Sequence, residues 1–471
     1  MTSSQARLPV RTVLGAVLSA SVLVVAGRSV AETPPEPAVR SMTLPEALAY
    51  AREHQPAVRA AMARVQASEA DARATRARWT PYLAATGQLL VGTANNTTAS
   101  YLGVTGVDLP RIGGTPVTAS GTLDGYPSTL AAISLTQQVF DFGRVAADAA
   151  LDDAITGYQR ATAQAQEMAV ALGVEESFFA VQAARSVLRA SEEALQRAKV
   201  HRDQARAGVK AGLRPPLDFT RADADVARYE VGRVRAESGL IASQAALAAA
   251  VGIPEERLDA SGGSPSPTSL PSLQASIRRS IDLDPSVKAA EMQVHAQEAA
   301  TDAISARLRP MLLLSGSFSG REGGAPPALP RDAATHGGWV PDIPNWDVAL
   351  VLRVPIFDWV TWKQVDASRQ REEVRRAELD LVRQGQTAAV QRAWVAVDSA
   401  RKAIVALERE VQASQENAAQ ADARFRAGLA TIVELTDAEA LRVTSEIQLA
   451  LGRFDEARQR ALLARLIVEE P

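Results

Sequence analysis

The stretch Ser134–Arg144 reads SLTQQVFDFGR, and its partner further along the chain, Leu350–Val360, reads LVLRVPIFDWV. Taken alone, Asp141-Phe142-Gly143 matches the magnesium-holding tripeptide of protein kinases, and His201-Arg202-Asp203 matches their catalytic loop. The order is wrong for that chemistry. A kinase needs a Gly-rich loop, a strand lysine, His-Arg-Asp and then Asp-Phe-Gly, whereas here Asp-Phe-Gly comes first by about sixty residues. The place of the catalytic-loop asparagine is taken by Gly208, and His201 falls inside a long helical pattern. The second copy keeps Phe357-Asp358 but continues with Trp359, so chemistry that required the glycine has no counterpart there. The letters mark a repeated structural feature.

The repeat extends in both directions. The stretch from His54 to Leu89 aligns without a gap on the stretch from Leu283 to Phe318, pairing Pro56 with Pro285, Arg78 with Arg307, Pro81 with Pro310 and Gly87 with Gly316. VKAGLRPPLDFTRADA aligns with FRAGLATIVELTDAEA, pairing Gly212 with Gly428 and Asp218 with Glu434. Each copy has one plan: a helix up to a proline, an extended stretch, a Gly/Thr/Pro-rich loop, a second extended stretch, a very long helix, an Ala-Gly-Leu turn and a returning helix. The first repeat is expected over about 32–254, with strand-loop-strand at about 81–142, a long helix at about 144–211 and a return helix at about 217–252. A Pro/Ser-rich linker follows at about 255–272. The second repeat covers about 273–471, with strand-loop-strand at about 311–357, a long helix at about 359–427 and a return helix at about 433–468.

Proline supports the long helices, since none occurs between Pro127 and Pro215 or between Pro355 and Pro471. At ~1.5 Å per residue each helix is roughly 100 Å long, too long for a compact domain. Val390, Trp394, Val397, Ile404, Leu407, Val411, Ala418, Ala421 and Phe425 recur in steps of three and four with two seven-residue gaps, which is a coiled-coil seam. The extended stretches alternate: Trp346, Val348, Leu350 and Leu352 face one way and Asp347, Ala349, Val351 and Arg353 the other. Segments of about ten residues with one apolar face suit a membrane β-barrel, and also a small soluble sheet. Four strands cannot close a barrel, but a symmetric trimer supplies twelve.

Composition narrows the function. The chain has 471 residues, a net charge of -3 and no cysteine, so disulfides, thiolate chemistry and Cys-bound metal are excluded and nothing favours nucleic acid. His54, His201, His295 and His336 make no metal spacing, and no catalytic or cofactor-binding constellation is found. Residues 1–31 read as an export signal: Arg7 and Arg11, the apolar run TVLGAVLSASVLVVAG, then Ser29-Val30-Ala31. The run is shorter than the ~20 residues of a spanning helix, so cleavage is expected rather than a retained anchor.

The ordered set resembles the TolC-like outer-membrane efflux proteins. It comprises LPEALAYAREHQPAVRAA, the Arg-x-x-Pro approach to each first strand, SLTQQVFDFGR with its partner, the two AGL turns and the tandem repeat. The resemblance covers Leu44 to about Leu466. It implies an α+β membrane protein: a homotrimer with one twelve-stranded barrel in outer-membrane lipid, continued by a coiled-coil α-barrel in the periplasm. It implies no enzymatic activity, a periplasmic adaptor and an inner-membrane pump as partners, and small toxic molecules as cargo. The exit duct of a one-step (type I) protein secretion system is a second reading within this architecture. A pore-less periplasmic coiled-coil scaffold is a reading from another class.

By the same resemblance ATIVELTDAEA is the gate segment, with Glu434 and Asp437 as ring carboxylates repelling anions. On spacing alone these residues also suit a helix N-terminus. Asp218 is the equivalent in the first repeat. The family's basic latch position is Ala430 here, so a reversed latch is expected, with Arg214 reaching Glu434 or Asp437. Gly212, Leu213, Gly428 and Leu429 are the adaptor-docking tips. Asp141, Gly143, Asp358 and Trp359 form the strand-to-helix junctions, the aspartates capping and Gly143 turning the chain, with Trp359 and Trp362 at the inner edge of the membrane band.

Overall fold

The computed structural model describes residues 39–93, 125–262, 270–323, 340 and 343–468. The export signal expected over 1–31, the loops between paired strands and most of the Pro/Ser linker lie outside the described residues.

The chain runs β1 (Val39–Met42), α1 (Leu44–His54), α2 (Pro56–Arg76), β2 (Tyr82–Thr93), β3 (Gly125–Phe140), α3 (Arg144–Lys210) and α4 (Pro216–Val251). After β4 (Arg257–Ala260) come α5 (Leu273–Leu283), α6 (Pro285–Ala306), β5 (Met311–Gly323), β6 (Ile343–Arg353), α7 (Trp359–Arg426) and α8 (Ile432–Leu466). At 67 and 68 residues, α3 and α7 are each ~100 Å long.

The linker expected over 255–272 needs correcting. Arg257–Ala260 is a strand, paired in parallel with Val39–Met42. Leu258 and Ala260 are fully buried there, in a core with Phe178, Leu247 and Val251. Two four-residue strands carry too few alternations to register as a pattern, and only their pairing across the chain makes them strands.

The main sheet is antiparallel in the order β2-β3-β5-β6, leaving β2 and β6 as edges among the described residues. Leu83, Ile133, Phe318 and Trp346 share one face and are exposed, as are Val348, Leu350 and Leu352. The opposite face carries Thr86, Ser134, Ser317 and Asp347, with the Ser317 hydroxyl 3.2 Å from the Asp347 carboxylate. The apolar residues of one face are therefore exposed while polar groups gather on the other, the inverse of a soluble sheet packed on a core.

The α7 seam is buried at Val390, Val397, Ala418, Ala421 and Phe425. Its two seven-residue gaps are filled by Ala400 and Ser414, both buried. Ser414 shares a hydrogen bond with Ser445 of α8 at 2.6 Å. Alanine and serine carry little hydropathy signal, but they let helices approach closely.

Candidate gate at the helix tips

Both hairpin tips are built the same way. The N–H of Leu213 donates to Gly208 O at 2.9 Å and that of Gly212 to Val209 O at 3.0 Å. Leu429 donates to Arg424 O at 2.8 Å and Gly428 to Phe425 O at 3.1 Å. This double closure needs a left-handed residue after the helix, and Gly212 and Gly428 have φ of 73° and 75°. It turns Leu213 and Leu429 outward, 82% and 72% exposed. The returning helices start differently: Pro215 precedes α4 and Pro216 opens it, while Thr431 caps α8 by accepting from the Glu434 N–H at 3.3 Å.

The charged residues sort differently from expectation. Arg214 does not reach Glu434 or Asp437 within the chain. Its guanidinium pairs with Asp218 at 3.4 Å, donates to the carbonyl of Phe425 and lies 3.6 Å above that ring. Glu434 is taken instead by Arg424 of α7, at 3.0 Å. The reason lies in the hairpins: Arg214, four residues before Asp218, meets it one turn on, and the last turn of α7 presents the Phe425 carbonyl, whose second lone pair is left over by the Gly428 N–H. Asp437 is exposed. Its charge helps raise Asp225 of α4 above the ordinary carboxylate range, an effect led by burial of Asp225 and opposed by Arg228.

Behind the tips lies a core of small residues, Ala205, Ala222, Ala418, Ala421 and Ala438, with Phe425, Ile432 and Leu435. One polar layer interrupts the interior above it. Arg197 of α3 bonds Glu439 of α8 at 3.0 Å, and His201 stands beside them. Sequence reading missed Arg424 and Glu439; the buried Glu439 carried only its place on the inner side of its helix as a signal, and the exposed Arg424 carried none.

The two strand-to-helix junctions also differ. Asp141 accepts from the N–H groups of Gly143 at 2.9 Å and Val145 at 2.6 Å while itself buried. Gly143, at φ 89°, makes the turn. Arg309 of the second half donates to the carbonyls of Phe142 and Gly143 at 3.3 and 3.2 Å. In the second junction Asp358 caps α7 directly, accepting from the N–H and hydroxyl of Thr361 at 3.0 and 2.6 Å. Trp359 and Trp362 are exposed, and Lys363 lies 4.8 Å from the Trp359 ring.

The sequence profile of the family described as "Outer membrane efflux protein" matches residues 47–253 and 277–467, two segments that together span most of the chain. The chain belongs to this family. Protein CyaE of Bordetella pertussis is 24% identical over 417 residues, covering 86% of this chain and 80% of that protein. Among solved structures, the Campylobacter jejuni CmeC outer membrane channel superposes with a TM-score of 0.70 at 13% identity, over 90% of this chain and 85% of that one. The open state of the Neisseria gonorrhoeae MtrE outer membrane channel superposes with a TM-score of 0.67 at 19% identity, over 90% and 88%. The chain thus has the fold of TolC-like outer-membrane channels, mostly helical with some sheet. As an outer membrane efflux protein it resides in the outer membrane with a large periplasmic part. Its relatives are channel proteins, not enzymes.

Proposed function

We propose that this protein is the outer-membrane duct of a tripartite efflux system, passing small toxic molecules passively from a periplasmic adaptor and an inner-membrane pump to the exterior. One observation carries the reading: a four-stranded sheet with an exposed apolar face, a polar opposite face and two open edges. In lipid every backbone polar group needs a partner, so an open sheet must close. Three copies give twelve strands, with the apolar face to lipid and the polar face to a water-filled lumen. The α3–α4 and α7–α8 hairpins then continue the wall into the periplasm.

In this duct the tips are the gate. Asp437, exposed, and Glu434, held by Arg424, present carboxylates tripled by the three-fold axis, which favour cations and oppose anions by direct Coulomb action. Arg214 and Asp218 brace the first tip against α7. Leu213 and Leu429 are the apolar contacts offered to the adaptor. Reconstitution of the purified protein in planar bilayers tests the reading. A trimer with cation-selective conductance that rises in Glu434→Ala/Asp437→Ala supports duct and gate; absence of conductance in every variant rejects both.

A further inference from the structure

His201 is placed where a proton would have a mechanical effect. It lies on α3 with its side chain only 12% exposed, Nδ1 3.7 Å from Asp422 Oδ1 of α7 and Nε2 3.6 Å from Glu439 Oε1 of α8. Both ring nitrogens are buried without a hydrogen-bond partner. Arg197 Nη2, Gln204 Oε1 and Glu446 Oε2 are likewise buried and without a hydrogen bond, on the same stretch of α3 and the facing α8. Unmet polar atoms are expensive in a protein interior. Their concentration in this layer marks a site built to change state.

The charges around the imidazole come from all four helices. α3 brings Arg197, paired with Glu439 at 3.0 Å and Glu446 at 3.6 Å. α4 brings Asp225 and Tyr229, which line the same small cavity as His201, Ala198 and Leu435. α7 brings Asp422, also paired with Arg426 at 2.7 Å. α8 brings Glu439 and Glu446, the latter paired with Arg442 at 3.0 Å. Burial pushes the Glu439 carboxyl up, but His201, Arg197 and Arg442 outweigh it and hold it below its ordinary value, so it stays ionised near neutrality.

A neutral imidazole has one donor and one acceptor nitrogen. Between two carboxylates it satisfies one and turns a lone pair towards the other. An imidazolium donates to both, and charge-assisted bonds draw such pairs to roughly 2.7–2.9 Å. We propose that His201 is a proton-operated clamp that, when charged, ties α3 to Asp422 of α7 and Glu439 of α8 and locks the two hairpins together behind the tips. Histidine changes charge between about pH 5 and 8. The clamp is therefore engaged on the acid side of that window and released as pH rises, so acidification of the periplasmic side stiffens the gate.

The clamp itself does not depend on the duct reading; only its effect on conductance does. The first measurement is hydrogen–deuterium exchange of residues 418–440 in the purified full-length protein at pH 7.5 and 5.5, corrected for intrinsic amide rates. Protection rises roughly tenfold on acidification in the wild type, and the rise disappears in His201→Gln and in Glu439→Gln while persisting in Asp225→Asn. Bilayer conductance then falls over the same window in the wild type and stays level in His201→Gln. A rise in protection that survives in His201→Gln, or none in the wild type, overturns the clamp. A pH-dependent, His201-dependent exchange in a protein that conducts at no pH keeps the clamp and rejects the duct.

Discussion

The guanidinium of Arg214 lies 3.6 Å above the ring of Phe425 and donates to that residue's own carbonyl, so one side chain closes the end of α7 and holds the start of α4 through Asp218. Stacking, a charge-assisted bond to a carbonyl of the last helical turn and an ion pair converge on one planar group. Arg214→Ala should lose about 1–3 kcal/mol of local tip stability, read as faster hydrogen exchange at residues 209–219 and 422–429. Arg214→Lys should recover little, because an ammonium has no plane to stack and no fork to span both partners. Full recovery by lysine would reduce the contact to simple charge.

The pairing of Glu434 with Arg424 gives opposed expectations for the two partners. Asp437→Ala removes one negative charge per protomer, behind the second tip, and should lower cation preference in bilayer reversal potentials. Glu434→Ala should lower it too, while freeing Arg424, whereas Arg424→Ala should raise it by leaving Glu434 uncompensated. The same direction of change for Glu434→Ala and Arg424→Ala would place this pair outside the ion path.

Asp141 holds two otherwise unbonded N–H groups at the start of α3 from a buried position. Asp141→Ala should cost about 1–2 kcal/mol, seen as a lower melting temperature of the assembled protein. Asp141→Asn keeps an acceptor and should cost less. Equal losses in the two variants would mean that charge, rather than capping, dominates.

Glu175 of α3 is pushed up to about 7, first by burial and then by Glu176. A carboxyl with a folded value above its ordinary 4.5 binds its proton more tightly when folded. Its contribution is fully present below about 4.5 and is lost as pH rises through about 7. Glu175→Gln should therefore raise the melting temperature at pH 8 and change it little at pH 4.5. A uniform shift across that range would show that packing, not ionisation, sets the effect.

Gly428 closes its tip at φ 75° with nothing within 4 Å of where a Cβ would stand. Gly428→Ala meets no clash, so its cost is the left-handed backbone alone, about 1–2 kcal/mol. Gly428→Asn should cost less than alanine, because asparagine tolerates that conformation. Thermal unfolding and exchange at residues 424–432 measure the ranking.

Local chemistry made much of this protein legible as sequence. Long proline-free runs with a seam every three or four residues can only be helices, and α3 and α7 extend through them. Alternation at Trp346–Leu352 is a strand signal whatever surrounds it, and Gly212 and Gly428 mark left-handed stops by the absence of a side chain. Repetition turned VFDFGR from a magnesium motif into a hinge, because a junction needs only a cap and a turn in each copy. Contacts between distant segments were decided by the tertiary structure. The β1–β4 pair forms because Leu258 and Ala260 find a core drawn from distant parts of the chain, from Met42 through Phe178 and Leu247 to Ala457. Arg214 prefers Phe425 and Asp218 to Glu434 because the hairpins place an aromatic ring, its carbonyl and a carboxylate within its reach. His201, a letter in a false kinase motif, acquires its carboxylates only when α7 and α8 pack against α3. Periodicity says which side of a helix is buried; it does not say which charged partner waits there.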